Sequence, residues 1–168
     1  MSYLIAAVGA VLAALVETSV FPEIRVAGVN PDLVLVFTIV AGMFVGVEEG
    51  LVWAFLGGLM LDLLTPGNRP IGVGALDLLF VAGLVLLIAR VTQPPRVLTV
   101  VVCAFALTFL YQALLEVLLA ATANVGLVTM EPTSLAIDAS LNAILAAAIA
   151  WVTRGLYLRF GPAERTDW

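Results

Sequence analysis

Apolar residues fill most of the chain in six long runs, separated by short stretches that contain proline, glycine or charged residues. A bilayer core of about 30 Å requires about 20 apolar residues per helix, so the chain has room for about six such helices. We therefore predict an all-α integral membrane protein in which residues 1–168 form a single transmembrane domain, a bundle of about six helices. The predicted spans are residues 3–20, 33–47, 51–65, 71–89, 97–121 and 135–157.

The composition supports a membrane protein and limits its chemistry. Hydrophobic residues make up 63% of the chain and charged residues 11%, with a mean hydropathy of +1.18, outside the range of soluble domains. The chain has no histidine or lysine and a single cysteine, Cys103, so the usual proton shuttle, metal ligand and Schiff-base nucleophile are missing. We therefore expect no enzymatic activity, no cofactor and no metal. The net charge of −5 argues against nucleic acid as a partner.

The arginines predict how the chain is oriented in the membrane. The fourth connection carries Arg90 and Arg96, and the end of the sixth span with the segment after it carries Arg154, Arg159 and Arg165, whereas the odd-numbered connections carry only Arg25 and Arg69. Because cytoplasmic segments of membrane proteins are enriched in basic residues, both termini are predicted to lie in the cytoplasm. The first span lacks the basic region of a cleavable signal peptide, and we expect it to be retained.

Five carboxylic acids fall inside the predicted spans, all toward the outer face. At about 1.5 Å per residue, Glu17, Asp62 and Asp138 lie roughly 5 Å below the outer boundary, Glu116 roughly 8 Å and Asp77 roughly 9 Å. Burying such a group costs roughly 2.5–3.5 kcal/mol, and no arginine lies in the apolar interior of a span. The acids must therefore be protonated, hydrogen-bonded, solvated by a cavity, or paired with the arginines of the outer connections.

Each of these acids shares a helical stripe with small or polar residues and is predicted to face other helices. Two interpretations remain open. The acids line an outward-facing cavity or docking surface, or, for Glu17 and Asp138 in particular, they reach the lipid headgroups. The stripes consist of Gly9, Ala13 and Glu17; Gly58 and Asp62; Gly74 and Asp77; Thr108, Gln112 and Glu116; and Asp138 and Asn142.

Asp62 has two interpretations of its own. It lies four residues before Pro66, where its carboxylate would accept hydrogen bonds from the backbone of the turn over residues 65–68 or pair with Arg69. The alternative is direct contact with a partner protein. Neither makes Asp62 catalytic, because no nucleophile, metal set or cofactor motif accompanies it.

Small residues at four-residue spacing predict close contacts between helices. One stripe on the first span consists of Ala6, Ala10 and Ala14, and one on the second consists of Gly42, Gly46 and Gly50. Packing inside the bundle is the simpler interpretation. A partner interface, which leaves room for a homodimer, is the alternative.

Two turn signals bound the second span. Asn30 is a candidate helix cap with Pro31 in the first turn, and Glu48-Glu49-Gly50 is the predicted turn into the third span. Nine residues are candidates for structural or partner-binding roles: Asp62, Asp77, Glu116, Arg69, Pro31, Asp32, Gly58, Gly46 and Gly72.

The order of several motifs resembles one family of membrane proteins. The motifs are GVNPDL at residues 28–33, EEG at 48–50, GGLMLDLL at 57–64 and PIGVGAL at 70–76. Together with the length and the number of spans, they resemble the bacterial rod shape-determining MreD family. Val73 departs from the pattern, since a histidine often stands at this position in the family. That departure weakens any assignment of chemistry to the position.

The resemblance implies a non-enzymatic protein of the bacterial inner membrane that belongs to the cell elongation machinery, or elongasome. It implies binding to MreC and, with MreC, a connection from cytoplasmic MreB filaments to the peptidoglycan synthase formed by RodA and penicillin-binding protein 2. It also implies a fold similar to the S components of energy-coupling-factor vitamin transporters, surrounded by membrane lipid.

Two other functions remain as alternatives to a non-catalytic scaffold. The S component of a vitamin transporter would bind solute in the outer acidic cavity and dock through the alanine stripe of the first span. Ligand pockets usually combine aromatic and neutral polar groups, yet Trp53 and Trp151 lie toward the predicted cytoplasmic ends, which favours the scaffold. A proton- or cation-coupled transporter would use the carboxylates directly, but the sequence shows no clear inverted repeat or broken helix pair.

Overall fold

Six α-helices account for most of the chain that the structure describes. The computed structural model describes residues 2–21, 28–65, 70–92, 96–123 and 131–160. The all-α prediction is confirmed. In chain order the helices are α1 (Ser2–Ser19), α2 (Leu33–Phe44), α3 (Val47–Leu64), α4 (Val73–Val91), α5 (Val97–Ala123) and α6 (Pro132–Phe160).

The connection between α2 and α3 differs from the predicted one. The chain turns at Val45 and Gly46, and Glu48, Glu49 and Gly50 belong to the first turn of α3, so the predicted turn at residues 48–50 is wrong. Acidic side chains are favourable in the first turn of a helix, where unbonded backbone amides leave a partial positive charge. For this reason the acidic pair begins a helix here instead of separating two.

The start of α2 also differs from the prediction. The N-cap is Asp32 and the first helical residue is Leu33, so Asn30 is not the cap and Pro31 lies before the helix. The first amides of a helix need acceptors from outside it. One acceptor comes from another helix, because the carboxylate of Glu17 on α1 binds the amide of Val34 at 2.8 Å.

The short helix α2 occupies the centre of the bundle. It contacts each of the other five helices, and nine of its 12 residues are buried. The surrounding helices contact one another in the order α1, α3, α4, α5 and α6. A helix of 12 residues is about 18 Å long, which is shorter than the bilayer core of about 30 Å. Most of the surface of α2 is therefore covered by the neighbouring helices and not by lipid.

Three helices in the described part of the chain are long and apolar enough to cross a membrane: α4, and the segments Val97–Thr122 of α5 and Pro132–Leu156 of α6. The segments Tyr3–Ser19 and Leu33–Phe44 form shorter apolar helices. Large apolar side chains also face outward, for example Leu4, Leu98 and Trp151, which are 72–74% exposed. Such faces are expected of a bundle surrounded by lipid. That all six helices cross the bilayer stays a prediction.

Glycine and alanine set the closest helix contacts. A Cβ atom added to Gly50 on α3 would lie 2.8 Å from the Cα of Gly42 on α2, so these two helices meet through their backbones. Gly46 lies in the connection and not on the same helix face, so the predicted stripe of Gly42, Gly46 and Gly50 along the second span is wrong. A helix that ends at Phe44 cannot carry all three.

The alanine stripe of α1 packs inside the molecule. Ala6, Ala10 and Ala14 are all buried, and α1 packs mainly on α3. At Gly9 an added Cβ would meet the ring of Trp53 on α3 at 2.7 Å. The small residues of α1 therefore serve contacts within the bundle.

Candidate functional site

Most of the polar side chains of the helices gather at one end of the bundle. Here α1, α3 and α5 end and α2, α4 and α6 begin, and hydrogen bonds between these helices join the two sets. We call this region the polar end. The prediction that the acids face other helices is confirmed for Asp62, Asp77 and Asp138, which are at most 5% exposed.

Asp62 on α3 holds the start of α4. Its carboxylate accepts hydrogen bonds from the backbone amides of Gly72 at 2.9 Å and of Gly74 at 2.9 and 3.0 Å. These amides lie at the positive end of the α4 dipole, which favours a carboxylate. The acidic side chain within the apolar sequence of α3 is thus bound by the backbone at the start of the next helix.

Asp62 does bind backbone amides, as the clamp interpretation predicted. The amides are those of Gly72 and Gly74, which follow the predicted turn over residues 65–68. Residues 66–69, including the predicted partner Arg69, lie outside the described residues. Two glycines make the observed clamp feasible. Gly72 has a φ of +101°, which L side chains rarely adopt, and an added Cβ at Gly58 would lie 2.6 Å from the Cα of Ala75. The backbones of α3 and α4 therefore touch beside Asp62.

Asn142 on α6 connects the start of α2 to two other helices. Its side-chain oxygen accepts the amide of Asp32 at 2.7 Å, and its Nδ2 donates to the carboxylate of Asp32 at 3.0 Å. The same nitrogen approaches Thr108 Oγ1 on α5 at 3.2 Å and Asp138 Oδ1 at 3.3 Å. Asn142 is fully buried, so these bonds offset the cost of placing an amide among apolar helices.

Asp138 bridges α6 and α5. Its carboxylate accepts a hydrogen bond from Gln112 Nε2 at 2.9 Å in addition to the contact with Asn142. Thr108, one turn before Gln112, donates to the carbonyl of Ala104 at 2.7 Å, which leaves its oxygen free to accept from Asn142. The result is a hydrogen-bonded chain from Gln112 through Asp138 and Asn142 to Asp32.

The carboxyl group of Asp32, which precedes α2, is more readily protonated than an ordinary aspartate. Burial raises its pKa well above the usual range, and the nearby carboxylates of Asp138 and Glu17 raise it further. The hydrogen bond from Asn142 lowers the pKa but does not outweigh burial. The protonated form of this carboxyl group is therefore favoured relative to that of an exposed aspartate.

A cavity of about 320 Å³ opens beside this chain of hydrogen bonds. Residues just before α2 form part of its wall, and the ends of α1 and α3 and the face of α5 form the rest. The lining residues are Glu17, Thr18, Asn30, Pro31, Asp32, Leu61, Thr65, Tyr111, Gln112 and Leu115. A polar cavity, one of the two arrangements that the sequence left open, therefore lies at the polar end. That it faces outward stays a prediction.

The nine predicted candidates do not form one site. Pro31 and Asp32 line the cavity, whereas Asp62, Gly58 and Gly72 form the contact between α3 and α4. Asp77 is buried in α4 and Glu116 is half-buried on α5. Gly46 lies at the opposite end of the bundle, and Arg69 is outside the described residues.

Sequence reasoning missed the central role of Asn142, Gln112 and Thr108. All three stood on the polar stripes of α5 and α6, which was a usable signal. The stripes indicated that these side chains face other helices but not which helix each would meet. The bond between Asp32 and Asn142 joins residues 110 positions apart, and no local pattern encodes that pairing.

Comparison with known proteins identifies the family. A family model described as rod shape-determining protein MreD matches residues 1–159. The chain belongs to the MreD family. The matched range contains every residue of the polar end, so membership in MreD covers the candidate site as well as the bundle. No significant match is found among the curated proteins or the solved structures, and the expected likeness to S components stays a prediction.

Membership in MreD establishes a coarse function. The family acts in rod shape determination, and the apolar helices agree with a membrane protein. MreD proteins are known as shape-determining proteins and not as enzymes. The resemblance that the sequence motifs suggested is confirmed.

Proposed function

We propose that the protein is a non-catalytic scaffold of the rod complex in the bacterial inner membrane, with both termini in the cytoplasm. It binds MreC and, through MreC, links MreB to RodA and penicillin-binding protein 2, so that peptidoglycan synthesis follows the cell axis. The observation that carries this proposal is the match to MreD over residues 1–159. No cofactor or metal enters the proposed function.

The chemistry of the polar end supports a structural role for its acids. Asp62 is bound by two amides of α4, Glu17 by an amide of α2 and Asp138 by Gln112. Carboxylates held in this way hold helices together, since each bond joins two different elements. The exposed helix faces are then the surfaces on which membrane partners pack.

A pull-down from native membranes tests the proposed partners. The tagged chain, expressed at its natural level and extracted in mild detergent, should recover MreC, with RodA and penicillin-binding protein 2 in smaller amounts. The control is an unrelated tagged membrane protein of the same cell. Absence of all these proteins from the eluate, with the chain itself intact and folded, would contradict the scaffold.

Depletion in the cell gives an independent test. Loss of the protein should turn rod-shaped cells round, because wall insertion would no longer follow the cell axis. Re-expression of the wild-type chain should restore rods. Normal shape after complete depletion would count against a role in the rod complex.

The cavity favours one second candidate, a solute-binding subunit of a vitamin transporter. Its volume lies at the lower end of ligand pockets, which span roughly 300–1,000 Å³. Against this candidate, the alanine stripe that would dock a coupling subunit is buried inside the bundle. A growth requirement for a vitamin in depleted cells of normal shape would support the transporter and exclude the scaffold.

A further inference from the structure

The cavity at the polar end has an acceptor-rich wall. Its acceptors include the carboxylates of Glu17 and Asp32 and the side-chain amide oxygen of Asn30. The side-chain oxygen of Asn30 is buried and has no hydrogen-bond donor within the described residues. A buried acceptor without a donor costs about 1–3 kcal/mol, so the wall favours an occupant that donates hydrogen bonds.

The charge at this end of the bundle favours a cationic occupant. The described acids at the polar end number seven: Glu17, Asp32, Asp62, Asp77, Glu116, Glu131 and Asp138. The sequence assigns only Arg25 and Arg69 to the connections at this end, and two arginines neutralise at most two carboxylates. None of the ten described lining residues is basic. An excess of negative charge therefore remains at the polar end, where the cavity lies.

The apolar part of the wall favours an alkyl chain next to that cation. Leu61 and Leu115 supply aliphatic surface, and Tyr111 supplies an aromatic ring. Aromatic faces attract ammonium groups, and alkyl stems pack on leucine. A primary ammonium group also has three donors, which suits a wall with several acceptors.

From these observations we propose that the cavity binds a primary alkylammonium group. The group comes either from the ethanolamine headgroup of a membrane lipid or from a free small amine. It sits among Glu17, Asn30 and Asp32 with its alkyl chain against the leucines. This site is independent of the proposed scaffold function and does not require MreC.

Lipid nanodiscs that hold the full chain test the proposal. Phosphatidylcholine has no N–H donor, whereas phosphatidylethanolamine has three. Replacing part of the phosphatidylcholine by phosphatidylethanolamine should raise the Tm by roughly 2–4 °C, because a ligand that binds the folded state stabilises it. In pure phosphatidylcholine, propylammonium chloride should raise the Tm saturably, and choline chloride at equal ionic strength should not. A rise with the lipid alone assigns the headgroup as the source, a rise with propylammonium alone assigns free amines, and a rise with each shows that the site accepts the ammonium group from both.

Three variants locate the effect. Asp32→Asn removes one carboxylate, and Leu115→Phe fills the cavity without changing charge, so each should abolish the amine-dependent rise. Glu48→Gln, an equal charge change on an exposed residue of the opposite end, should retain it. If Asp32→Asn does not fold, Leu115→Phe alone carries the test. Equal responses to choline and propylammonium, no response to either amine source, or a response retained in Leu115→Phe would overturn the proposal.

Discussion

At the scale of single residues, two carboxylates of this bundle are bound by the N-termini of neighbouring helices. Hydrogen bonding, one of the four possibilities that the sequence left open for these acids, occurs through backbone amides at two positions. Asp62 binds the start of α4 and Glu17 binds the start of α2. Helix ends in a membrane protein leave amides that lipid cannot satisfy. An acid on one helix and a helix start on its neighbour therefore satisfy each other.

Replacing Asp62 tests this pairing. Asp62→Ala leaves the amides of Gly72 and Gly74 without their acceptor, so we expect a loss of stability of about 1–3 kcal/mol, a lower yield and less co-purified MreC. Thermal unfolding in detergent measures the first effect. The matched control is Glu48→Gln, which changes an exposed acid at the opposite end of α3 and should leave stability nearly unchanged. If Asp62→Ala kept wild-type stability, yield and MreC recovery, Asp62 would have neither a structural role nor a role in partner binding.

The raised pKa of Asp32 predicts a dependence of stability on pH. Burial raises the pKa of this carboxyl in the folded state, so the folded protein binds the proton more tightly than the unfolded chain. The stability from this proton is present at low pH and is lost as the pH rises through the raised pKa. We expect the Tm to gain more from acidification, from about pH 7.5 to about pH 5, in the wild type than in Asp32→Asn. Equal gains in Tm in the two proteins would contradict the raised pKa of Asp32.

At the scale of helices, the sequence predicted more of the fold than of the site. Long apolar runs predicted each of the six helices, because hydrophobic length is a property of the local sequence. The boundaries of α2 and α3 were wrong where packing decides them. The run over residues 33–47 is apolar to its end, but the helix ends at Phe44, before the chain turns at Gly46. The contact between Gly42 and Gly50 then lies across two helices, which a repeat within one helix cannot reveal.

The contact between α3 and α4 predicts opposite effects for two glycines. An added Cβ at Gly58 would lie 2.6 Å from the Cα of Ala75 and from the carbonyl oxygen of Gly74, whereas one at Gly83 on α4 would meet nothing within 4 Å. Gly58→Ala should therefore destabilise the protein by about 1–3 kcal/mol. Gly83→Ala should be neutral or stabilise it by up to about 1 kcal/mol, because alanine favours the helix. Thermal unfolding of both variants measures the two changes in stability. Equal changes would show that α3 and α4 move apart at Gly58 without cost.

At the scale of the whole molecule, the polar end and the described arginines lie at opposite ends of the bundle. Arg90 and Arg96 flank the connection between α4 and α5, away from the cavity and the helix starts described above. Basic segments tend to remain in the cytoplasm. The arrangement therefore predicts that the polar end faces outward and that its cavity opens away from the cytoplasm.

Cysteine labelling in intact cells checks this orientation. Ile71 at the polar end is 68% exposed and Val91 at the other end is 85% exposed, so each accepts a reporter thiol with little disturbance of packing. Ile71→Cys should react with a membrane-impermeant maleimide added from outside, and Val91→Cys should react only after the inner membrane is permeabilised. Cys103 is buried, so the wild-type chain gives the background. The reverse pattern would place the polar end in the cytoplasm, where the cavity would meet soluble amines and not the outer lipid leaflet.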